Sequence, residues 1–194
     1  MCGIAGWVAG PESTLGEPVL AAMLEAIAHR GPDGQGMCDF RCPDTGHRVF
    51  LGHRRLAIID PIGSQQPMRD AANGLALTFN GEIYNFRELR DQLTRVGYRF
   101  VRDSDTEVLL RAYQHWGCEV VQRLRGMFAF AIWDRRCEQL FLARDRLGVK
   151  PLYYTDDRCG YFLFGSELKS VLAHPAATRN IQPLAVEEYF AYGY

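Results

Sequence analysis

The hydrophobic periodicity of the chain changes near residue 127, and this change constrains the fold more than any other feature. Short apolar or alternating runs of strand character follow one another from there, with brief polar turns between them. They occupy residues 127–134, 139–144, 151–155 and 160–165. Connections this short join antiparallel strands, because a parallel crossover needs about a dozen residues or more. Earlier strand-like runs occupy residues 3–9, 48–52, 56–59 and 75–79.

The helical segments are grouped between these strands. Apolar side chains recur at helical spacing in residues 16–29, and residues 86–96 alternate charged and apolar groups at the same spacing. Ser104 and Glu107 match a capping box, which predicts a helix from there to about residue 116. Shorter helical segments end at residue 124, occupy residues 168–172 and form an amphipathic tail at 184–194. Together these patterns predict an α+β layered fold with antiparallel sheets.

The composition is that of an ordinary globular domain. The 194 residues are 47% hydrophobic and 23% charged, which favours a single domain with a sizeable core. The net charge of −1 gives no electrostatic case for binding nucleic acid or an anionic membrane. The sequence has neither an apolar run that could span a bilayer nor a signal peptide, so we expect a cytoplasmic protein with reduced thiols.

The six cysteines do not form a metal-binding pattern. None lies in a Cys-x-x-Cys pair, and Cys38 and Cys42 lack the second pair that a zinc site needs. We therefore expect no metal site, and five of the cysteines are most simply small buried or surface residues. Cys2 differs from the others because it directly follows the initiator methionine.

Removal of Met1 would give Cys2 two reactive groups on one residue. The small side chain at position 2 permits this removal, which exposes an α-amino group beside the thiol. An ordinary α-amino group has a pKa of about 7.7–8.0, so it can act as a general base near neutral pH. Attack by the thiolate suits a carboxamide carbon, with a thioester and ammonia as products. Taken alone, however, a cysteine after methionine is more simply an ordinary small residue.

A set of short motifs accompanies Cys2 in a fixed order along the chain. They read MCGIAG, HRGPDG, LGHRRLAIID, QPM, FNGEIYN, SDTE, GMFAFA, ARDRLGVKPLYY and FGSELKS. Each is weak alone, but the ordered set closely resembles the N-terminal glutaminase domain of glutamine-dependent asparagine synthetases. That domain is a class II glutamine amidotransferase of the N-terminal-nucleophile hydrolase superfamily. The resemblance covers essentially residues 1–194 and implies a four-layer αββα fold of two stacked antiparallel sheets.

The resemblance implies a nucleophile and an oxyanion hole. It makes Cys2 the nucleophile, and it makes Asn80 and Gly81 the oxyanion donors, through a side-chain amide and a backbone N–H. The residues alone predict an ordinary hairpin turn at Asn80-Gly81, since both positions of this dipeptide tolerate positive φ. The two interpretations are compatible, because a turn after a strand can direct both donors toward one point.

The resemblance also implies a clamp for the two charged ends of a free amino acid. Arg55 matches the residue that holds the substrate α-carboxylate, which a guanidinium fork can bind bidentately. Glu82 and Asp105 match the acceptors of the α-ammonium, although Asp105 could instead compensate the charge of a helix start. Neighbours in an extended segment point to opposite faces, so we expect Arg54 to be a solvated surface charge. The substrate-lining positions are Leu56, Ala57, Ile58 and Ile59.

Three further features are expected to support the site rather than to react. His29 and His53 are interpreted as structural, because the α-amino group of Cys2 makes a histidine base unnecessary. The loop of residues 30–34 matches a segment near the active site, and we expect it to shape that site. The loop-like, charged residues 144–150 are a candidate contact with a second domain.

The resemblance implies a second domain that these residues do not contain. Residues 1–182 match the glutaminase domain, and residues 183–194 resemble the start of a linker to an ATP-dependent synthetase domain. ATP and Mg²⁺ are expected only in that synthetase domain, and no cofactor is expected in residues 1–182. The chain is then a fragment of a longer protein or a stand-alone glutaminase, and the question of a homodimer stays open.

Four functions fit parts of this pattern. The leading one is hydrolysis of L-glutamine to L-glutamate and ammonia. A synthetase domain, in the same chain or on a partner subunit, would then use the ammonia to make asparagine. The same glutaminase could serve a different ammonia acceptor. A degenerate regulatory domain would be expected to lose Cys2, Asn80 or Asp105, and all three are present. An N-terminal-nucleophile peptidase would need a site open to a peptide chain, which the pair of Arg55 and Asp105 disfavours.

Overall fold

Two antiparallel β-sheets lie face to face at the centre of the molecule. The computed structural model describes residues 1–56, 65–156 and 160–193. From edge to edge, the first sheet contains β2 (Gly34–Arg41), β3 (Arg48–Arg55), β1 (Gly3–Ala9), β9 (Tyr161–Gly165) and β8 (Tyr153–Asp156). The second sheet contains β4 (Met68–Asp70), β5 (Leu75–Ile83), β6 (Gly126–Asp134) and β7 (Gln139–Arg144). All of these neighbours pair antiparallel. The short connections in the late part of the chain join the antiparallel pairs β6–β7 and β8–β9, whereas the one between β7 and β8 links the two sheets.

Helices cover the outer face of each sheet. The first sheet is covered by α1 (Glu17–Glu25) and α5 (Leu168–Leu172), and the second by α3 (Asp105–Trp116), against which α2 (Phe86–Arg95) packs. A short helix, α4 (Val120–Arg123), precedes β6, and α6 (Pro183–Tyr192) lies near the end of the chain. None of the helices in the described ranges is long and apolar enough to cross a membrane.

Three layers of apolar side chains join these four layers of structure. Trp7 and Leu24 lie between α1 and the first sheet, and Phe130 and Leu109 lie between the second sheet and α3. The layer between the sheets contains Ile4, Val49, Leu51, Ala76, Ala129, Ala131, Trp133 and Phe164. The predicted αββα sandwich is therefore the observed architecture.

The alternation of side chains along β1 decides where the N-terminus points. Trp7 packs beneath α1, whereas Ile4 belongs to the layer between the sheets. Because side chains alternate along a strand, Cys2 continues on the face of Ile4, toward the space between the sheets. β1 is the central strand of its sheet, paired with β3 on one side and β9 on the other. Hydrogen bonds on both sides therefore fix the strand that follows Cys2.

The prediction of a hairpin turn at Asn80-Gly81 is wrong. β5 runs through both residues, and Gly81 pairs with Phe128 of β6. The close approach of β6 explains the glycine, because a Cβ atom on Gly81 would lie 2.2 Å from the carbonyl oxygen of Met127. Pairing with a neighbouring strand thus outweighs the local turn preference of the dipeptide.

Two strands gave no recognisable signal in the sequence. β2 is an edge strand without a single buried residue, so it has no apolar face to produce alternation. β4 is only three residues long. The strand predicted at residues 56–59 lies mostly outside the described ranges, and the other predicted strands have observed counterparts that differ at their ends by a few residues.

The predicted capping box at the start of α3 forms in part. The Ser104 hydroxyl accepts a hydrogen bond from the N–H of Glu107 at 3.3 Å, which caps the helix. The Glu107 carboxylate does not complete the box. Instead it accepts hydrogen bonds from the N–H groups of Val101 and Arg102 at 3.1 and 2.7 Å. These contacts fix the loop before α3 and hold Asp105 in position.

The predicted amphipathic tail is helical but does not pack into a core. No side chain of α6 is buried, and its large apolar residues, such as Phe190, are exposed. Its expected role as the start of a linker therefore stays a prediction.

Candidate active site

A cavity lies between the two sheets where the N-terminus enters the sandwich. Its volume is about 260 Å³, slightly below the roughly 300–1,000 Å³ of common ligand sites. This size suits one amino acid better than a segment of peptide. The predicted site residues within the described ranges all line it: Cys2, Arg55, Leu56, Asn80, Gly81, Glu82 and Asp105. The remaining three, Ala57, Ile58 and Ile59, lie outside the described residues.

The thiol of Cys2 lies against the backbone just beyond the end of β3. The N–H of Leu56 donates to the Cys2 sulfur at 3.4 Å, and the thiol faces the carbonyl oxygen of Leu56 at 3.6 Å. An N–H group directed at the sulfur also stabilises negative charge there. Leu56 therefore contacts the candidate nucleophile itself, in addition to lining the cavity.

Arg30 holds the backbone of Cys2. Its Nε donates to the carbonyl oxygen of Cys2 at 2.9 Å, and its Nη1 donates to the carboxylate of Glu167 at 3.0 Å. His29 and Lys169 contact the same carboxylate at 2.9 and 3.1 Å. Burial acts to raise the pKa of Glu167, but hydrogen bonds from these three partners lower it to about 2. Glu167 is thus an anion that anchors Arg30, in agreement with a shaping role for the loop of residues 30–34.

Asn80 brings an unpaired hydrogen-bond donor to the cavity. The residue is 1% exposed, and its Nδ2 has no hydrogen-bond partner within the part of the chain that the structure describes. A buried polar group without a partner costs about 1–3 kcal/mol. A donor kept at this cost, in the same cavity as a thiol, is suited to bind an oxygen of a substrate or of a reaction intermediate.

The consecutive arginines at the end of β3 point to opposite faces, as predicted. Arg55 lines the cavity. Arg54 lies on the outer face, where its Nε donates to the carbonyl oxygen of Leu24 at 3.0 Å and its guanidinium pairs with Glu25. The expectation that Arg54 is a solvated charge is wrong, because its side chain is only 13% exposed. The Arg54 guanidinium satisfies a carbonyl group at the C-terminal end of α1. The C-terminal end of a helix attracts cations.

Two carboxylates face the cavity, Glu82 near the end of β5 and Asp105 at the start of α3. The Asp105 carboxylate accepts a hydrogen bond from the N–H of Ile83 at 3.1 Å, which ties the strand to the helix. Burial raises the pKa of Asp105 above its ordinary value. Hydrogen bonds from Ile83 and Thr106 oppose this rise, and the negative charge of Glu82 adds to it. An ammonium group bound between the two carboxylates would relieve this electrostatic cost.

His53 lines the cavity as a neutral imidazole. The hydroxyl of Thr78 donates to the carbonyl of Gly52 at 3.0 Å, so it accepts from Nδ1–H of His53 at 3.3 Å. Nε2 is then an acceptor, and it has no hydrogen-bond partner among the described residues. Burial, together with the positive charge of Arg55, lowers the pKa of His53 to about 3. An imidazole that stays neutral at physiological pH is not a proton carrier there, which agrees with the predicted structural role.

The other cysteines of the described residues lie outside the cavity that contains Cys2. Among the described residues, no group of three or more His, Cys, Asp or Glu side chains is placed to hold a metal ion. Cys38, Cys42, Cys118 and Cys137 are free thiols. Burial raises the pKa of Cys38 to about 12, so that thiol stays protonated and unreactive.

Comparison with known families identifies the fold and its cavity. The model of the glutamine amidotransferase domain family matches residues 1–194. The chain belongs to this family. Its cavity therefore belongs to an amidotransferase domain. The family that the sequence motifs predict is confirmed.

The curated relatives of this amidotransferase domain are longer proteins. Glutamine-hydrolysing asparagine synthetase 3 of Bacillus subtilis is 42% identical over the whole chain, which spans 31% of that protein. Asparagine synthetase 1 of the same organism is 44% identical over 80% of the chain, which corresponds to 24% of that protein. An amidase of Gibberella zeae is 40% identical over 89% of the chain and 26% of its own length. The chain thus spans about a third or less of these relatives.

Solved structures show the same fold. Glutamine phosphoribosylpyrophosphate amidotransferase of B. subtilis superimposes on 94% of the amidotransferase domain with a TM-score of 0.71 and 23% identity, and the match covers 46% of that chain. A structure of the allosteric regulatory enzyme of purine biosynthesis gives a TM-score of 0.72 with 25% identity, over 94% of the domain and 45% of that chain. Both matches extend over nearly the whole domain, so the predicted four-layer fold is confirmed.

Several residues of the amidotransferase site were not singled out as site residues from the sequence. Arg30 lies in the HRGPDG motif and Glu167 in the FGSELKS motif, but nothing local indicates that they meet. Gln66, in the QPM motif, lines the cavity and accepts a hydrogen bond from the N–H of Phe79 at 2.6 Å. Lys150 lines the cavity as well. One signal could have drawn attention to it, because the sequence contains only two lysines and this one lies in the ARDRLGVKPLYY motif.

Proposed function

We propose that the domain hydrolyses L-glutamine to L-glutamate and ammonia, with Cys2 as the nucleophile. The observation that carries this proposal is the content of one cavity. It places a thiol, an unpaired amide donor on Asn80, the guanidinium of Arg55 and two carboxylates around a volume that suits a single amino acid. The membership in the glutamine amidotransferase family supports glutamine as that amino acid.

The reaction begins once Met1 has been removed. The α-amino group of Cys2 accepts the thiol proton, directly or through a water, and the sulfur forms a bond to the carboxamide carbon of glutamine. The carbonyl oxygen becomes an oxyanion, which Nδ2 of Asn80 and the N–H of Gly81 stabilise. The α-amino group then passes the proton to the carboxamide nitrogen, the carbon–nitrogen bond breaks, and ammonia leaves. Water hydrolyses the γ-glutamyl thioester, which releases glutamate and restores the thiol.

The charged residues select a free amino acid. Arg55 binds the α-carboxylate, and Glu82 and Asp105 bind the α-ammonium. A guanidinium fork matches a carboxylate, and a pair of carboxylates matches an ammonium group. The backbone of residues 56–59 forms the remaining wall in this proposal. A peptide-bound glutamine lacks both free charges, so the site disfavours a peptidase.

The ammonia is used by a synthetase domain that follows this domain in the same protein, or by a partner subunit. The support comes from relatives named as glutamine-hydrolysing asparagine synthetases, of which this chain matches 24–31%. In this proposal ATP and Mg²⁺ act in the synthetase domain, residues 183–194 lead toward it, and residues 1–182 need no cofactor. The protein works in the cytoplasm, where its free thiols stay reduced.

A second acceptor class is favoured by one observation. Relatives named as amidases are 37–40% identical to this chain over most of its length. The same glutaminase could therefore deliver ammonia to a carboxylate other than that of aspartate. Sequencing the remainder of the protein and assaying candidate carboxylates with ATP would separate the two acceptors.

The proposed function is tested by comparing L-glutamine with Nα-acetyl-L-glutamine. We expect glutamate and ammonia to appear in equal amounts from L-glutamine. The acetylated compound should react about 100-fold more slowly or worse, because it lacks the ammonium group that Glu82 and Asp105 recognise. Ammonia and glutamate are measured by coupled enzymatic assays. Equal rates on both compounds would contradict recognition of a free amino acid, and no turnover of either would contradict glutamine hydrolysis.

The Asp105→Asn variant is expected to raise the KM for glutamine about 10–100-fold, because it removes a hydrogen-bonded charge partner of the ammonium. The raised pKa of Asp105 adds a pH dependence. In the parent domain KM should rise as the pH falls, since protonation of the carboxyl removes the same charge. This rise should begin at a higher pH than an ordinary aspartate would give, and Asp105→Asn should abolish it.

The matched control is Asp103→Asn. Asp103 is exposed, pairs with Arg90 and lies outside the cavity that contains Cys2. Its substitution should leave KM and the pH dependence of KM unchanged. Steady-state kinetics between about pH 5 and 8 measure both variants, and an unchanged KM in Asp105→Asn would remove this residue from the ammonium site.

A further inference from the structure

Lys150 is a buried cation whose role is not explained by the clamp for glutamine. The residue is 7% exposed and lines the cavity. Within the described ranges, the hydrogen-bond contact of its ammonium group is the thioether sulfur of Met1, at 3.6 Å. A thioether is a weak acceptor and carries no countercharge. A buried charge is normally paired, because removing it from water is costly.

The loop that carries Lys150 is held rigidly by charged groups on both sides. The Asp145 carboxylate accepts hydrogen bonds from the N–H groups of Val149 and Lys150, each at 2.9 Å. The Arg144 guanidinium donates to the carbonyl oxygens of Gly148 and Lys150 at 2.6 and 2.8 Å. Burial acts to raise the pKa of Asp145, but hydrogen bonds from the backbone of this loop hold it below its ordinary value.

Gly148 allows this loop to turn back on itself. Its φ is +66°, and a Cβ atom there would lie 2.7 Å from Nη2 of Arg144. A side chain at this position would therefore strain the backbone and displace the guanidinium. These contacts fix the conformation of the loop and hold Lys150 at the cavity.

The contact with Met1 locates the Lys150 ammonium near the N-terminus. Met1 is the residue whose removal exposes the α-amino group of Cys2 in the proposed function. Its sulfur belongs to the residue that directly precedes the peptide nitrogen that becomes this amine. Cys2 and Lys150 line the same cavity, so removal of Met1 leaves the new amine and the Lys150 ammonium at one site.

We propose that Lys150 is a positioning residue for the general base: its positive charge disfavours protonation of the α-amino group of Cys2 and keeps that amine ready to accept the thiol proton. This inference rests on the proposed function. Two like charges that line the same cavity repel each other, so the ammonium form of the amine is destabilised. The same charge favours the thiolate that the amine generates.

The other charged groups around the cavity do not replace this effect. Arg55 is committed to the substrate carboxylate in the proposed function. Glu82 and Asp105 carry negative charge and favour the ammonium form of the amine, so they act against Lys150 until substrate neutralises them. His53 is neutral at physiological pH. Arg30 lies behind Cys2, where Glu167 neutralises it.

The Lys150→Met variant tests the proposal, since it removes the charge and keeps an unbranched side chain. We expect the acidic limb of the kcat/KM profile for glutamine to move to higher pH by about one unit. The rate at neutral pH should fall by up to about tenfold, whereas the rate on the alkaline plateau and the KM there should stay near those of the parent. Lys150→Arg, which keeps the charge, should restore the original limb.

The matched control is Lys169→Met, the same substitution at the other lysine of the chain, which is half exposed and contacts Glu167 outside the cavity. Its acidic limb should not move. An unmoved limb in Lys150→Met would overturn the proposal. A raised KM at all pH values would also overturn it, because it would assign Lys150 to substrate binding instead.

A second measurement does not depend on glutamine turnover. In the Cys2→Ala background, the pH dependence of acetylation of the N-terminal amine by acetic anhydride reports its protonation, and peptide mass spectrometry reads the extent. Adding Lys150→Met should move the midpoint of this curve upward by about one unit, and adding Lys169→Met should not. An unchanged midpoint would overturn the role of Lys150 even if the domain is an active glutaminase. A shifted midpoint without glutamine hydrolysis would overturn only the proposed function.

Discussion

A chain carrying Cys2→Ala is expected to fold normally and to lose at least about 10⁴-fold in the rate of glutamine hydrolysis. The loss is large because the thiol is the atom that bonds to the carboxamide carbon, and no neighbouring group can take its place. The other free thiols in the part of the chain that the structure describes belong to Cys38, Cys42, Cys118 and Cys137, none of which lines the cavity.

The effect on stability should be small. The Cys2 thiol is partly exposed, and its hydrogen-bond contacts within the described ranges are with the backbone of Leu56. Its truncation therefore opens no core cavity and leaves no charge unpaired. Chemical denaturation should show a free energy of unfolding within about 1 kcal/mol of the parent. A large loss of stability would mean that the activity measurement reports unfolding rather than chemistry.

Two further measurements make this result specific. Cys118→Ala, at an exposed free thiol outside the cavity, should retain full activity. Intact mass spectrometry of active protein should show a chain that begins at Cys2. Activity in Cys2→Ala would contradict the nucleophile, and full activity in a chain that retains Met1 would contradict the α-amino group as the base.

Much of the fold was predictable because most strands and helices with a buried face carry a periodic pattern in their own sequence. Strands with a buried face, such as β1 and β6, produce apolar runs, and α2 and α3 show helical spacing and a capping residue at Ser104. β2 was not predictable for the same reason, because an edge strand without buried residues has no periodicity to detect.

The turn predicted at Asn80-Gly81 does not form, because pairing with a neighbouring strand outweighs the local preference of the dipeptide. The dipeptide is a strong turn former in isolation, but β6 lies alongside and pairs with both residues. Gly81 is required there by the close approach of the neighbouring backbone, not by a positive φ. Both residues line the cavity, although the local structure inferred for them was wrong. Their role as oxyanion donors stays a prediction.

The supporting contacts of the site could not be predicted, because they join residues far apart in sequence. Arg30 meets Glu167 across 137 positions, and Lys150 meets Met1 across 149. Neither pair has a local signature, since an arginine, a glutamate or a lysine is most often a surface charge. Only the stacking of the two sheets and the pairing of β1 with β9 bring these segments together.

The second large effect is expected for Asn80→Ala, which should lower kcat about 10²–10³-fold with little change in KM. This corresponds to a loss of about 3–4 kcal/mol of transition-state stabilisation, the typical contribution of one oxyanion donor. The glutamine carbonyl needs this donor most when it carries negative charge, so the amide acts mainly on the transition state. Steady-state kinetics on glutamine separate the two parameters, and a rise in KM at unchanged kcat would assign Asn80 to ground-state binding.

Asn85 provides the matched control, because it is the same residue type, buried and nearby on the chain, but both its Oδ1 and its Nδ2 have hydrogen-bond partners. Its Oδ1 accepts from the N–H of Arg125 and its Nδ2 donates to the carbonyl of Arg123, both at 2.9 Å. Asn85→Ala should therefore cost about 1–3 kcal/mol of folding stability and leave kcat of the folded protein unchanged.

Asn80→Ala should behave in the opposite way. Its Nδ2 has no partner among the described residues, so truncation removes no hydrogen bond of that donor and should cost little stability. The two asparagines thus separate stability from catalysis by denaturation and kinetics on the same pair of variants. If Asn80→Ala lowered stability as much as Asn85→Ala while keeping kcat, the unpaired amide would be a structural group, and the oxyanion would have to be stabilised elsewhere in the cavity.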